Sequence, residues 1–298
     1  MKVAWHQFYN HPLKENHKFP MKKYDLLKDE LLNQIIIQEK DLLIPNQIYE
    51  EDILLAHNNE YWNKLKNLEL NEKEERRTGF PQSDRLIERE RLIMQGTYLV
   101  SEYALTNGLG FNIAGGTHHA FSNKGEGFCL LNDMALSALM LIKYKNISKV
   151  LIVDLDVHQG NGSAEILQNN KNIFTFSIHG KENYPIIKEK SDLDIELDHK
   201  TEDEEYLDLV YTNLNKLIIK FEPQFILYQA GVDILESDKF GRLNISVEGC
   251  KERDNIVFEL ASKNSLPITT TMGGGYSEDI NIILDSHINT YKSALKYY

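Results

Sequence analysis

An aliphatic run, Val150-Leu-Ile-Val153, leads directly into Asp154-Leu-Asp-Val-His158 and then Gln159-Gly-Asn-Gly162. No other stretch constrains the chain as much. A short β-branched and aliphatic run bounded by polar residues reads as a strand buried on both faces of a parallel sheet. Asp154, Asp156 and His158 follow at a spacing of two, which on an extended chain puts all three side chains on one side. Two carboxylates and an imidazole on one face make a metal-ligand set. The glycines then allow a sharp turn and Ser163 to Gln168 reads as the next helix. The acidic residues therefore stand at the carboxyl edge of a sheet, where open α/β sheets place their sites.

The same arrangement recurs along the chain. Phe111–Ala114 leads into Gly115-Gly-Thr-His-His119, Ile173–Ile178 into His179, Phe225–Tyr228 into Gln229-Ala-Gly-Val-Asp233, and Pro267–Thr271 into Met272-Gly-Gly-Gly-Tyr276. Scattered core histidines would not line up at one edge of one sheet, so the recurrence points to a site there. With 298 residues, 42% of them hydrophobic, the chain can bury a large core. We expect one α/β domain over residues 1–298, a parallel β-sheet flanked by helices on both faces.

Before residue 111 the sequence is helical and charged. Residues 11–20 read as a polar loop, Met21–Asn33 as an amphipathic helix with Tyr24, Leu27, Leu31 and Leu32 inward, and Glu50–Lys66 as a second helix. Asn71–Arg77 is a charge run read as a solvated helix end or loop. Ser83 or Asp84 caps a long helix that stops at Asn107-Gly108. The net charge of −12 argues against a nucleic-acid partner while tolerating a cationic substrate. Cys129 and Cys250 are too few for a disulfide framework, the first residues lack the apolar core of a signal peptide, and no apolar run is long enough for a bilayer. The expectation is a cytoplasmic protein with no membrane partner.

Each cluster has a bland reading as well. Asp154 and Asp156 could cap the following helix, and Asp233 could do the same at its own strand end. His179 could be a core histidine, and the Gly273–Tyr276 segment could be a flexible turn. His6, His11, His17, His57, His199 and His287 show no partner pattern. Taken together, however, the clusters supply every part of a mononuclear metal hydrolase. Asp156, His158 and Asp233 meet the three-ligand count of catalytic zinc with one position open. His118 and His119 can take a proton from water and return it to a leaving amine. Tyr276, after three glycines, can bring a hydroxyl to an oxyanion.

The segments Gly115–His119, Gly127-Phe-Cys129 with Asn132-Asp133, Asp154–Gly162, Ser177-Ile-His179, Ala230–Asp233 and Gly273–Tyr276 resemble, in order, the zinc-dependent histone deacetylase family. This family belongs to the arginase–deacetylase superfamily, and the chain looks most like its bacterial or class IV members. The resemblance covers essentially the whole chain. It implies zinc on Asp156, His158 and Asp233, with His119 as general base and acid, His118 as electrostatic partner oriented by Asp154, and Tyr276 polarising the scissile carbonyl. It further implies a potassium ion held by backbone carbonyls of Asp154, Asp156 and His158 with Ser177 and Ile178. Gly127, Phe128 and Tyr184 match a tunnel for the acyl-lysine stem, with Phe240 at its rim.

There are departures from the family pattern. Asn161 stands where many members have an aspartate behind the second histidine, which should lower the pKa of His119. Thr117 replaces a frequent glycine, Ala114 a common proline, and Lys18 is aligned with a basic residue near the inner channel. The expected activity is hydrolysis of acetyl or other acyl groups from lysine side-chain amides of proteins or peptides. The alternatives are a small-molecule deacetylase such as an acetylpolyamine amidohydrolase and, further off, a non-catalytic binding module. An arginase-like binuclear manganese site is disfavoured, since it would need Asp-x-His-x-Asp where the strand offers Asp-x-Asp-x-His.

Overall fold

A computed structural model describes residues 1–15 and 17–298; Asn16, inside the loop expected at 11–20, lies outside the described residues. The chain opens with strand β1 (Lys2–Ala4), helix α1 (Lys23–Asn33), β2 (Leu42–Leu43), α2 (Glu50–Ile53), α3 (Asn59–Lys66), α4 (Glu72–Thr78) and the long α5 (Asp84–Asn107). Strands and helices then mostly alternate, through β3 (Leu109–Asn112), α6 (Asp133–Lys145), β4 (Val150–Asp154), α7 (Asn161–Leu167), β5 (Ile173–Gly180) and β6 (Leu193–Leu197). The chain ends with α8 (Asp203–Phe221), β7 (Phe225–Gln229), α9 (Val247–Lys263), β8 (Ile268–Thr271) and α10 (Ile280–Ala294).

The strands form one parallel sheet in the order β2-β1-β3-β8-β7-β4-β5-β6. Every residue of β3, β4, β7 and β8 is buried, as near-continuous apolar runs require when helices cover both faces. On one face α5 lies along β1, β3 and β8 beside α6. On the other, Phe111 of β3 stacks 4.1 Å from Tyr291 of α10 and lies 6.2 Å from Phe258 of α9. Asn112, the next residue, points the opposite way and donates to the Ile93 carbonyl of α5 at 3.1 Å, as the pleat dictates. No helix among the described residues is long and apolar enough to cross a membrane.

This topology creates the site. The chain leaves β3, runs out through β4, β5 and β6, and returns as β7 and β8 to fill the gap. The carboxyl ends of β3, β8, β7 and β4 thus become neighbours, and the loops leaving them carry the His pair, the Gly-Tyr turn, Asp233 and the Asp/His set.

Three local expectations change. Residues 50–66 form two helices instead of one, because Asn58 caps α3 by accepting from the Tyr61 N–H at 2.8 Å while its own N–H donates to the Ser122 carbonyl. The charge run at 71–77 is α4, with Asn71 and Glu74 closing a reciprocal capping box. Lys18 is exposed and lies 6.0 Å from the Phe240 ring, outside the inner channel. The short edge strands β2 and β6 were not apparent from the sequence.

Candidate active site

β4 ends at Asp154, and residues 156–158 bend, so the three side chains are not presented from one extended face as their spacing suggested. The Leu155 N–H donates to the Gln229 carbonyl at 3.2 Å, which keeps the chain beside β7. The carboxylates then fold back onto their own backbone: Asp154 accepts from the Asp156 N–H at 3.3 Å and Asp156 from the His158 N–H at 3.0 Å. The result is two sites. Asp154 turns to His118, while Asp156 and His158 turn to Asp233.

Ligand atoms of Asp156, His158 and Asp233 all lie within 4.8 Å of one another, and all three residues are buried. His158 Nδ1 stands 3.1 Å from Asp156 Oδ1 and 3.0 Å from Asp233 Oδ2. One imidazole thus faces two carboxylates that are 1% and 0% exposed. Burial, followed by the charge of Asp156, pushes the Asp233 carboxyl up to about 7, as expected of crowded acids. A divalent cation would relieve that tension, and this donor set of two oxygens and a nitrogen fits zinc with a position left open. The other carboxylate lone pairs are held in place: Gly274 N–H donates to Asp156 Oδ2 at 2.9 Å and Val157 N–H to Asp233 Oδ1 at 3.0 Å. Arg253, fully buried, bridges the carbonyls of Leu155 and Gly231, so one guanidinium braces both loops that carry ligands.

The His pair hangs from a turn that only glycine suits. Gly115 and Gly116 have φ of 81° and 75°, and a Cβ on Gly116 would fall 1.9 Å from Gln229 Oε1. Asp133 gathers the turn by accepting from the Gly116 and Thr117 N–H groups at 3.0 and 2.8 Å. The Thr117 hydroxyl adds a third bond to it at 2.7 Å, so the threonine ties the pocket floor down. The Ala114 N–H, which a proline would lack, donates to Asn112 at 3.2 Å. Below the pair, Ser163 N–H in the first turn of α7 donates to the His118 carbonyl.

The two imidazoles have opposite electrostatics. His118 Nδ1 lies 2.7 Å from Asp154 Oδ2; burial alone would lower its pKa, but Asp154 and Asp156 outweigh burial and bring it up to about 9. His119 Nδ1 lies 2.7 Å from Asn161 Oδ1. Burial, then the neighbouring His118 and His158, hold its pKa well below the usual range, and the bond to Asn161 acts in the opposite direction. Burial and the two neighbouring imidazoles, and not the bond to Asn161, thus depress His119.

Over this floor stands an aromatic wall. Glu126 and Cys129 exchange N–H···O bonds at 3.0 Å around a turn whose central residues, Gly127 and Phe128, have φ of 57° and 66°, the signature of a type I′ turn. Their N–H groups donate to the carbonyls of Arg77 and Thr78 at the end of α4; the charge run anchors the wall. The Phe128 ring lies 5.3 Å from Phe19, 5.5 Å from Phe80 and 6.0 Å from Tyr276. Tyr184 is 40% exposed and meets His119 edge-on at 5.0 Å, while Phe240 packs 5.0 Å from Tyr276. Burial, then the charges of Asp233 and Asp156, raise the Tyr276 phenol well above its usual range, so its hydroxyl stays a donor. His179 sits inside β5, buried and bonded to Ser177 Oγ at 2.9 Å, away from the cavity. Ser177 itself is the register partner of Asp154.

Several residues that shape the site gave little signal in sequence. Lys23 is buried and donates to the Gly273 carbonyl at 2.7 Å, with burial lowering its pKa to about 8; it lies on the same i, i+4 stripe as Leu27 and Leu31, the one clue available. Arg89 and Tyr24 also line the cavity. Asp238 accepts from the Tyr276, Phe240 and Gly241 N–H groups, joining Phe240 to the tyrosine loop. His57 holds the Phe121 carbonyl and the Asn132 N–H, each at 2.9 Å.

Comparison with known proteins agrees with this geometry. The histone deacetylase domain matches residues 17–290. The chain belongs to the histone deacetylase family. It is 36% identical over 99% of its length to an uncharacterized protein of Picosynechococcus, covering 99% of that protein. It is 29% identical to histone deacetylase 2 of Arabidopsis thaliana, with 94% of this chain and 75% of the relative aligned. In fold it matches the crystal structure of an HDAC homolog complexed with SAHA at a TM-score of 0.83 and 22% identity, covering 99% of this chain and 84% of that one. As a family member the chain is a hydrolase of the deacetylase type.

Proposed function

We propose that this protein is a zinc-dependent hydrolase that removes acetyl groups from lysine side-chain amides of proteins or peptides. The observation that carries the reading is the convergence of Asp156, His158 and Asp233 beside His118, His119 and Tyr276 at the floor of one aromatic-walled cavity. Zinc, when bound there, supplies Lewis-acid polarisation and lowers the pKa of water. His119 takes the proton of the attacking water on Nε2 and returns it to the departing lysine amine. Tyr276 donates its hydroxyl to the developing oxyanion. His118, held charged by Asp154, stabilises the same negative charge. Phe128, Tyr184 and Gly127 clasp the aliphatic stem and exclude water, with Phe240 holding Tyr276 from behind.

The proposal extends to a potassium ion on the backbone carbonyls of Asp154, Asp156, His158, Ser177 and Ile178, supported by the Asp154–Ser177 register. The test is hydrolysis of lysine-peptide amides from acetyl to long-chain acyl, beside acetylated polyamines, by zinc-loaded protein. Turnover highest for acetyl-lysine peptide is expected. Turnover of polyamines alone would move the assignment to a small-molecule deacetylase, and preference for long chains would move it to a long-chain deacylase.

A further inference from the structure

We infer that Glu126 is a positioning residue for His119, acting through the Asn161 amide and selecting the tautomer in which His119 can work as a base. The inference rests on the proposed role of His119. An aspartate behind a histidine accepts a hydrogen bond from either oxygen, so its orientation is immaterial. An asparagine has one accepting end and one donating end. With Asn161 Oδ1 toward His119 Nδ1, 2.7 Å away, the imidazole carries its hydrogen on Nδ1 and leaves Nε2 free to accept a proton. With the amide reversed, its NH₂ would face Nδ1, the hydrogen would move to Nε2, and the base would be lost.

Something must therefore choose between the two ends, and Glu126 is placed to do so. Its Oε1 lies 2.8 Å from Asn161 Nδ2. A carboxylate only accepts, so it tolerates the NH₂ end and rejects the carbonyl end. Both partners are buried, at 7% and 2% exposure, so water cannot readily substitute for the contact. Glu126 is itself immobilised. Its backbone closes the turn with Cys129, and Oε2 pairs with the Lys124 ammonium at 3.1 Å. The Tyr184 hydroxyl is also close to it: after burial, this carboxylate is the next largest cause of the raised phenol pKa. One carboxylate thus links the cavity lip to the orientation of the base.

The experiment is a variant cycle on the zinc-loaded full-length protein, read by steady-state kinetics on an acetyl-lysine peptide and by ¹⁵N chemical shifts of the His119 ring. Glu126→Gln offers Asn161 both an acceptor and a donor, so both amide orientations are satisfied. We expect kcat to fall in proportion to the lost share of the Nδ1–H tautomer, about twofold for an even mixture, with KM nearly unchanged, and the His119 shifts to move from the Nδ1–H tautomer toward a mixture. Asn161→Asp sets two carboxylates face to face and loses turnover as well. In the double variant the amide introduced by Glu126→Gln donates to the carboxylate introduced by Asn161→Asp, which accepts from His119 Nδ1–H. Most of the kcat lost in Asn161→Asp therefore returns. The same Glu126→Gln change thus harms one background and rescues the other, which a purely structural role would not produce. An unchanged kcat and unchanged His119 shifts in Glu126→Gln, or no rescue in the double variant, would overturn the inference. If the wild type hydrolyses no acyl-lysine the functional proposal fails, while the ¹⁵N shifts still decide the role of Glu126.

Discussion

Gly274→Ala should abolish the proposed zinc binding without straining the backbone. Gly274 is not among the residues with positive φ, so alanine is conformationally acceptable there. Its added Cβ, however, would fall 1.9 Å from Asp233 Oδ2 and 2.9 Å from Asp156 Oδ2. Real Cβ atoms essentially never come within 3.0 Å of such neighbours, so the Asp233 carboxylate has to retreat by ~1.1 Å or the loop has to move with its N–H bond to Asp156. Metal–ligand distances tolerate only about ±0.2 Å, so one of three protein ligands is lost or badly misplaced. Loss of supporting contacts alone costs about 10–100-fold in metal affinity, and displacing a ligand should reach at least the upper end, about 2.7 kcal/mol. Competition of the protein with a chromophoric chelator for zinc measures this directly, alongside the zinc-dependent rise in Tm. Wild-type zinc affinity in Gly274→Ala would refute the placement of both ligands.

Other expectations follow from the same contacts. Asp233→Ala should lower zinc stoichiometry in elemental analysis, and unchanged stoichiometry would remove it from the ligand set. Arg253→Met leaves the buried Asp254 with the Tyr228 and Thr290 hydroxyls but no cation, and frees both loops that Arg253 braces; we expect a loss of about 3–5 kcal/mol in denaturant unfolding, and a loss under about 1 kcal/mol would contradict the bracing role. His57 carries a pH signature. Burial depresses its pKa from 6.5 to about 4, so the unfolded chain takes up a proton first, and the stability present above pH 6.5 is lost as pH falls toward 4. The loss is about 3 kcal/mol. Unfolding midpoints compared across this window should fall more steeply in wild type than in His57→Gln, and parallel curves would show that His57 does not carry the linkage.

What could be read in the sequence was whatever sits next to a strand end. Asp156, His158, Asp233, the His pair and Tyr276 each follow an apolar run within a few residues, and a parallel sheet necessarily gathers such positions at one edge. The spacing of two in Asp154-Leu-Asp-Val-His158 marked residues that the fold does gather, but through a different geometry, since folded-back carboxylates replace the extended chain. Side chains whose partners are distant stayed hidden. Lys23 meets Gly273 across 250 positions, His57 meets Asn132 across 75, and Arg253 reaches back 98 to Leu155. Lys18 was aligned by its neighbours Phe19-Pro20, yet burial reserves the inner cation positions for Lys23 and Arg89. Edge strand β6 lacked an apolar signature because four of its five residues keep solvent contact. Glu126 stands between two glycines in the sequence, and only the fold brings it to Asn161.

The most direct test of the central claim compares wild type with Tyr276→Phe, both zinc-loaded, for release of acetate from an acetyl-lysine peptide, with zinc content measured on the same samples. The account predicts equal zinc in both and a drop in kcat of about 10²–10³-fold in the variant, the usual cost of one oxyanion donor. An undiminished kcat in Tyr276→Phe would contradict it.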